Sequence, residues 1–290
     1  MKRQTSVPFI LKDLKLSILI RNLNEAADLA LTLGAIQRQA CDFAYEVVVV
    51  DNMSDDDSVK IAEGFGARVL TLERAAFSFG GSLNYGISQC NGEFILILSA
   101  HVLLLSDGFL QSIPAYFAGA AVAGLRFLNC ADVSQLKNGM MTGVQSLRYE
   151  SPEDFAITHW QQLTVNHCAA IRRESWEQQP FDETLFASED KRWALDVLKQ
   201  GWSLLYHVPL YYAYIKQPGA DGRARRMAIE TAAREAITGN ADPLYSPGAA
   251  GYIKAVQSSL KKMYREVKTN RRVARMIVEI RAAYAGFFGK

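Results

Sequence analysis

The sequence predicts an α/β protein: a Rossmann-like, mostly parallel sheet flanked by helices within residues 1–215, then a helical, basic amphipathic extension over 216–290. Short apolar, β-branched-rich runs, Leu16 to Ile20, Glu46 to Val50 and Glu93 to Leu98, alternate with segments of helical spacing. Such alternation means parallel strands joined by crossover helices. The runs are apolar at every position, as expected where helices cover both faces of a sheet. A composition of 49% hydrophobic and 21% charged residues, with 20 Gly and 8 Pro, is that of a folded globular chain rather than a disordered or repetitive one.

Between the first two strands, Glu25 to Gln39 shows helix-like apolar spacing at Leu29, Leu31 and Leu33 with Ile36. A second helix from about Asp57 to Phe65 ends among glycines, and Ala67 to Leu72 follows as a strand. Gly81 to Cys90 is a helix before the strand Glu93 to Leu98. Beyond His101 the pattern gives a helix over Asp107 to Phe117, a strand over Ala121 to Leu128, a polar stretch to about Thr142 and a strand near Val144 to Tyr149. From Thr164 the chain reads as strand, short helix, loop, a helix over Glu189 to Gln200 stopped by Gly201, and a strand to Tyr206 closed by Pro209.

The longest nearly apolar run, Phe94 to Leu105, has 12 residues and contains His101, too short to span a membrane. The N-terminus shows no cleavage pattern, so the chain reads as cytoplasmic. Cys41, Cys90, Cys130 and Cys168 are widely spaced and read as free thiols. The net charge of +2 conceals a basic tail: residues 254–290 hold ten Lys/Arg against two Glu. Its apolar residues recur at mostly helical spacings. That pattern suits an anionic membrane surface, peripheral on the inner face of the cell membrane, or a helix packed on protein. Nucleic acid is not expected, since no nucleic-acid motif accompanies the charge.

No GxGxxG follows the first strand and no GxxxxGK[ST] occurs, so no organic cofactor is expected and dehydrogenase and ATPase readings drop. Ligands in such sheets bind at the carboxyl ends of the strands. The residues there are Arg21, Asn22, Asn24 and Glu25 after the first strand, Asp51 to Asp57 after the second, and Ser99 and His101 after the fourth. A carboxylate at Asp51 can accept the imide N–H of a pyrimidine base; the alternative is a solvated turn in which Ser54 or Asp57 caps the next helix. Ser99 and His101 fall on one side of an extended strand. Glu189 and Asp190 open a helix, either as simple capping residues or as a general base for an acceptor hydroxyl.

LSILIRNLNEA, EVVVVDNMSDDDS, FSFGGSLNYGISQCNGEFILILSAH and FDETLFASEDKRWALDVLKQGW, in this order, resemble the family 2 glycosyltransferases of GT-A fold, closest to rhamnosyltransferase-like bacterial members. The resemblance implies inverting transfer of a hexosyl or deoxyhexosyl group from a nucleotide-diphosphate donor to a hydroxyl of a glycan or lipid-linked acceptor, in bacterial surface polysaccharide synthesis. By resemblance, Asn22, Glu25, Asp51 and Asn84 bind the donor, Asp190 is the base with Glu189 beside it, and Asn166 lies near donor sugar or acceptor. Trp193 reads as packing.

Two departures stand out. The family's Asp-x-Asp, which holds the diphosphate through a divalent metal (Mn or Mg), is replaced by Ser99-Ala100-His101. His101 is left as the metal candidate at a place where hard cations prefer oxygen. A histidine expected shortly after Pro209 is also missing, so metal dependence is open. Arg223, Arg225 and Arg226, in a Gly-flanked segment, are the alternative cations for the diphosphate, unless they form a solvated basic loop. The loss of Asp-x-Asp also raises a second class, a catalytically inactive nucleotide-sugar-binding scaffold; retention of Glu189-Asp190 argues for catalysis. A nucleotidyltransferase is disfavoured for want of a glycine-rich basic N-terminal loop.

Overall fold

Strand β1 (Leu14–Asn22) runs through the centre of one sheet, with Leu16, Ile18, Leu19 and Ile20 wholly buried. It pairs in parallel with β2 (Ala44–Asp51) and with β4 (Phe94–Ser99), and β3 (Arg68–Thr71) adds to β2. The crossovers are α1 (Ala26–Gln37), α2 (Ser58–Gly64) and α3 (Phe79–Gln89). This half is the parallel arrangement expected, because a continuous apolar strand needs helices on both faces. The computed structural model describes residues 14–119, 121–150, 155–216 and 220–239.

Parallel pairing stops at β4. After it come β5 (Val102–Leu104), α4 (Phe109–Tyr116), β6 (Val122–Asn129), α5 (Val133–Thr142), β7 (Gln145–Leu147), α6 (Phe155–Thr158), β8 (Cys168–Arg172), α7 (Arg173–Gln178), α8 (Glu189–Lys199) and β9 (Ser203–Tyr214). The sheet order is β3-β2-β1-β4-β8-β6-β9-β5, with β7 also on β9. Strand β8 is antiparallel to both β4 and β6, while β9 is parallel to β6 and antiparallel to β5 and β7. The sheet is therefore mixed rather than mostly parallel, since strand direction is set by long-range pairing that an apolar run does not encode.

Two boundaries differ from expectation for local reasons. The polar stretch before Thr142 forms α5, whose start is capped by the Asp132 carboxylate accepting from Gln135 N at 3.0 Å. Pro209 does not end its strand. The register passes from Phe127↔Val208 to Leu128↔Tyr211, so Pro209 falls in an irregularity, exposed, where its missing N–H breaks no ladder bond. Trp193 is packing, buried with its indole N–H on Gln179 O at 2.8 Å.

The chain divides into two units, Met1–Gln217 and Pro218–Lys290. In the second, α9 (Ala220–Thr238) takes in the segment expected to be an arginine-bearing loop. Its alanines, arginines and glutamates are good helix formers, and Arg226 pairs along the helix with Glu230 at 3.1 Å. The side chains of Arg223 and Arg225, and residues 254–290, lie outside the described residues. Among the described residues no helix is long and apolar enough to cross a membrane.

Candidate active site

The loops after β1 and β2 are zipped together. Asn22 Nδ2 donates to Asp51 Oδ1 at 2.8 Å and to Ser54 Oγ at 3.1 Å, Asp55 N donates to Asn24 Oδ1 at 2.7 Å, and Ala26 N donates to Asp56 Oδ2 at 2.9 Å. Asp56, rather than Ser54 or Asp57, therefore serves the helix starts, since its other oxygen accepts from Ser58 N. The Asp51 carboxylate is only 2% exposed and also accepts from Ser54 N at 2.8 Å and Ser54 Oγ at 2.6 Å. These three internal donors make it a brace of the loop and leave about one of the carboxylate's four acceptor positions unfilled. The Asn22 side-chain oxygen, Oδ1, is buried with no hydrogen-bond partner among the described residues, an acceptor left unsatisfied within the protein.

Asn84 is committed elsewhere. Its Nδ2 donates to Phe181 O at 2.9 Å and Glu183 Oε1 at 2.8 Å, and its Oδ1 accepts from Trp176 Nε1 at 2.9 Å and Phe181 N at 3.0 Å. All four hydrogen-bonding positions of the amide are filled, so it is a latch rather than a donor ligand. The latch fastens α3 to the segment that leads into α8. One turn earlier, Gly80 sits so close to that segment that a Cβ would fall 2.5 Å from Asp182 O.

This clamp positions the carboxylate pair. Ser188, in the left-handed region at φ 61°, turns the chain into α8. Asp190 is fixed by backbone donors, Asn166 N to Oδ2 at 3.0 Å and Lys191 N to Oδ1 at 2.7 Å. Asn166 Nδ2 donates to Glu189 Oε1 at 3.3 Å, and the Asn166 side-chain oxygen, Oδ1, is buried without a partner among the described residues. Glu189 is itself buried, and burial together with the neighbouring Asp190 carboxylate pushes its carboxyl above the ordinary value, against the pull of Arg21. Arg21 Nη1 lies 3.7 Å from Glu189 Oε1, and its guanidinium sits 5.3 Å from the centre of the Phe79 ring.

Ser99 and His101 do not share an extended strand, because β4 ends at Ser99 and the chain turns through Ala100 and His101. Thr32 of α1 holds that turn, donating to Ala100 O at 2.8 Å and accepting from Val102 N at 3.2 Å. The His101 ring packs edge-on against Tyr214 at 4.7 Å, and its Nδ1 is 2.6 Å from Glu25 Oε2. The other Glu25 oxygen accepts from Lys216 Nζ. Burial works to raise the Glu25 carboxyl, but the hydrogen bonds from His101 and Lys216 prevail and hold it below the ordinary value.

A divalent metal does not fit this donor set. The nearest carboxylate already carries an ammonium on one oxygen and an imidazole nitrogen on the other. Among the described residues no group of three His, Cys, Asp or Glu side chains could hold an ion.

Sequence reasoning brought Arg21, Asn22, Asp51, Glu25, His101, Asn166, Glu189 and Asp190 to these strand ends and missed two cations. Lys216 lies against Glu25, a residue it singled out. Arg126 is an arginine in the otherwise apolar strand β6, 9% exposed, with Nη1 on Leu163 O at 2.6 Å. Burial lowers its pKa, partly countered by Tyr212 and Asp190. A charge inside an apolar run was the available signal.

Residues 17–178, more than half of the chain, match the profile of Glycosyl transferase family 2. The chain belongs to that family. A protein of Rickettsia felis described as an uncharacterized glycosyltransferase is 34% identical over 86 residues, 30% of this chain and 28% of that protein. The mouse dolichyl-phosphate beta-glucosyltransferase is 32% identical over 100 residues, 30% of this chain and 31% of that protein. The chain thus spans about three tenths of the length of these curated relatives. Among solved structures, the mannosyltransferase PcManGT from Pyrobaculum calidifontis, in complex with GDP-Man and Mn²⁺, superposes with a TM-score of 0.59 at 18% identity, covering 97% of this chain and 84% of that one. The family 2 chain therefore has the GT-A fold, a mixed sheet flanked by helices.

Proposed function

We propose that this protein is an inverting glycosyltransferase that moves a hexosyl or deoxyhexosyl group from a nucleotide-diphosphate donor to a hydroxyl of a glycan or lipid-linked acceptor, in bacterial surface polysaccharide synthesis. The observation that carries the reading is the Glu189-Asp190 pair, held by Asn166 at the strand ends of a family 2 domain. The acceptor hydroxyl gives its proton to the Asp190 carboxylate while its oxygen attacks the anomeric carbon opposite the departing diphosphate. The C–O bond to the leaving group breaks with its electron pair on the phosphate oxygen, and a single displacement inverts the centre. Backbone donors fix the base in orientation, so little reorganisation accompanies attack.

Arg21 compensates the buried Glu189 in part, opposing the repulsion between two adjacent carboxylates. The unpartnered side-chain oxygens Oδ1 of Asn22 and Asn166 suit donors on the nucleoside and on a sugar hydroxyl respectively. The fold accommodates a divalent ion and GDP-Man in PcManGT, whereas the residues here favour a route without one.

The test is a thermal-shift screen of UDP, GDP, CMP and dTDP and their sugars, each with Mn²⁺ and with EDTA, followed by transfer assays with the stabilising donor. Stabilisation by one nucleotide sugar and turnover lost in Asp190→Asn support the reading. Binding without transfer or hydrolysis for any acceptor tried supports the inactive scaffold, which the missing Asp-x-Asp favours.

A further inference from the structure

The Glu25 end of the crevice has the chemistry of an anion site built on a carboxylate. Tyr212, Tyr214 and Lys216 alternate onto one face of β9 and its continuation. The ladder with the β5 side is extended past the last strand residue by Ile215 N donating to His101 O at 3.0 Å. Tyr214 pairs with Val102 in register and packs against His101. Lys216 is thus placed by strand register and not by a wandering loop.

Its ammonium rests on Glu25, whose side chain is 13% exposed, yet Lys216 itself is 49% exposed. An ammonium has three donors, and one directed to Glu25 leaves others for a ligand. His101, 11% exposed at its side chain, backs the same carboxylate. A divalent ion drawn to Glu25 would have to displace the Lys216 ammonium and settle beside the imidazole. A departing diphosphate carries several negative charges, and preorganised cations are what stabilise charge developing on a leaving group.

We propose that Lys216, seated on Glu25 and backed by His101, is the diphosphate subsite of this chain, so that a nucleoside diphosphate binds and departs without a divalent ion. This rests on the glycosyltransfer reading above. As the glycosidic C–O bond breaks, the electron pair stays on the β-phosphate oxygen, and Lys216 donates a hydrogen bond to it while keeping its proton.

The experiment measures, on the full chain by calorimetry, the affinities of UDP, GDP, CDP and dTDP and of their monophosphates, in EDTA and then with Mn²⁺. The expected result is that one base binds in EDTA with the diphosphate tighter than the monophosphate. Lys216→Ala should weaken the diphosphate by about tenfold or more, the size of a charge-assisted hydrogen bond, and leave the monophosphate within about twofold. Lys216→Arg should restore most of the preference. Because Lys216 is half-exposed, circular dichroism of Lys216→Ala should match the parent, and the monophosphate affinity reports an intact pocket. A diphosphate preference that requires Mn²⁺ and ignores Lys216→Ala overturns the proposal alone. Failure of every mono- and diphosphate to bind the folded protein overturns the glycosyltransfer reading and this subsite together.

Discussion

Glu25 and Glu189 are mostly buried carboxylates in two regions of the strand ends, and their surroundings drive them in opposite directions. Burial raises both. At Glu25 the hydrogen bonds from His101 and Lys216 overcome it, and the carboxyl is held below its ordinary value. At Glu189 a second carboxylate, Asp190, adds to burial, and Arg21 at 3.7 Å does not offset the two. The difference teaches that the Glu25 region is made to collect positive charge, whereas the Glu189 region concentrates negative charge. The first suits holding an anion and the second suits taking a proton.

The comparison breaks most visibly at Asp190. Asp190→Asn keeps an acceptor oxygen for one of the two backbone donors and removes the base, so turnover should fall by about 10²- to 10⁴-fold while the affinity for nucleoside diphosphate stays unchanged. Glu25→Gln should weaken diphosphate binding by releasing Lys216, and turnover should fall with it, because the same ammonium stabilises the departing diphosphate. Parallel steady-state kinetics and calorimetry on both variants check this. Equal losses in both readouts for both variants would erase the division of labour.

Asn84 comes next in size. Asn84→Ala removes a group with four partners and leaves the Trp176 indole N–H and the Phe181 backbone unsatisfied. A loss of about 1–3 kcal/mol in denaturant stability is expected, and turnover should fall with it, because the segment that delivers Ser188, Glu189 and Asp190 is no longer fastened to α3. A variant of unchanged stability and selectively weakened nucleotide affinity would return Asn84 to direct donor contact.

The parallel half of the sheet was legible because its strands are unbroken apolar runs, such as EVVVV and FILIL, separated by helical spacing, and the strand-end rule then pointed to Asn22, Glu25, Asp51 and His101. The second half was not, for a physical reason. Strand β8 inserts antiparallel between β4 and β6, and direction within a sheet follows from tertiary pairing. Pro209 looked like a terminator but sits at an irregularity where no N–H is needed. In the site, residue types were readable and partners were not. Asp51 looked available, yet Asn22 and Ser54 surround its carboxylate. Glu25 looked like a nucleoside contact, yet residues 76 and 191 positions along the chain hold it.

The smallest expected effect sharpens the comparison most directly, because it reads the two carboxylates through one observable. A carboxyl held low in the folded state stabilises above the ordinary value of 4.5 and loses that contribution as pH falls below it. A carboxyl held high contributes most at acid pH and loses stability as pH rises above 4.5 through its folded value. Gln titrates in neither state, so each Glu→Gln variant isolates its own carboxyl. The melting temperature of Glu25→Gln should fall furthest below the parent at neutral pH and approach it below 4.5. Glu189→Gln should move the other way, gaining on the parent as pH rises from 4.5 towards neutrality. Differences of about 2–4 °C correspond to about 1 kcal/mol in a domain of this size. Parallel curves for the two variants on both sides of pH 4.5 would show that the charges at the two ends are not opposed.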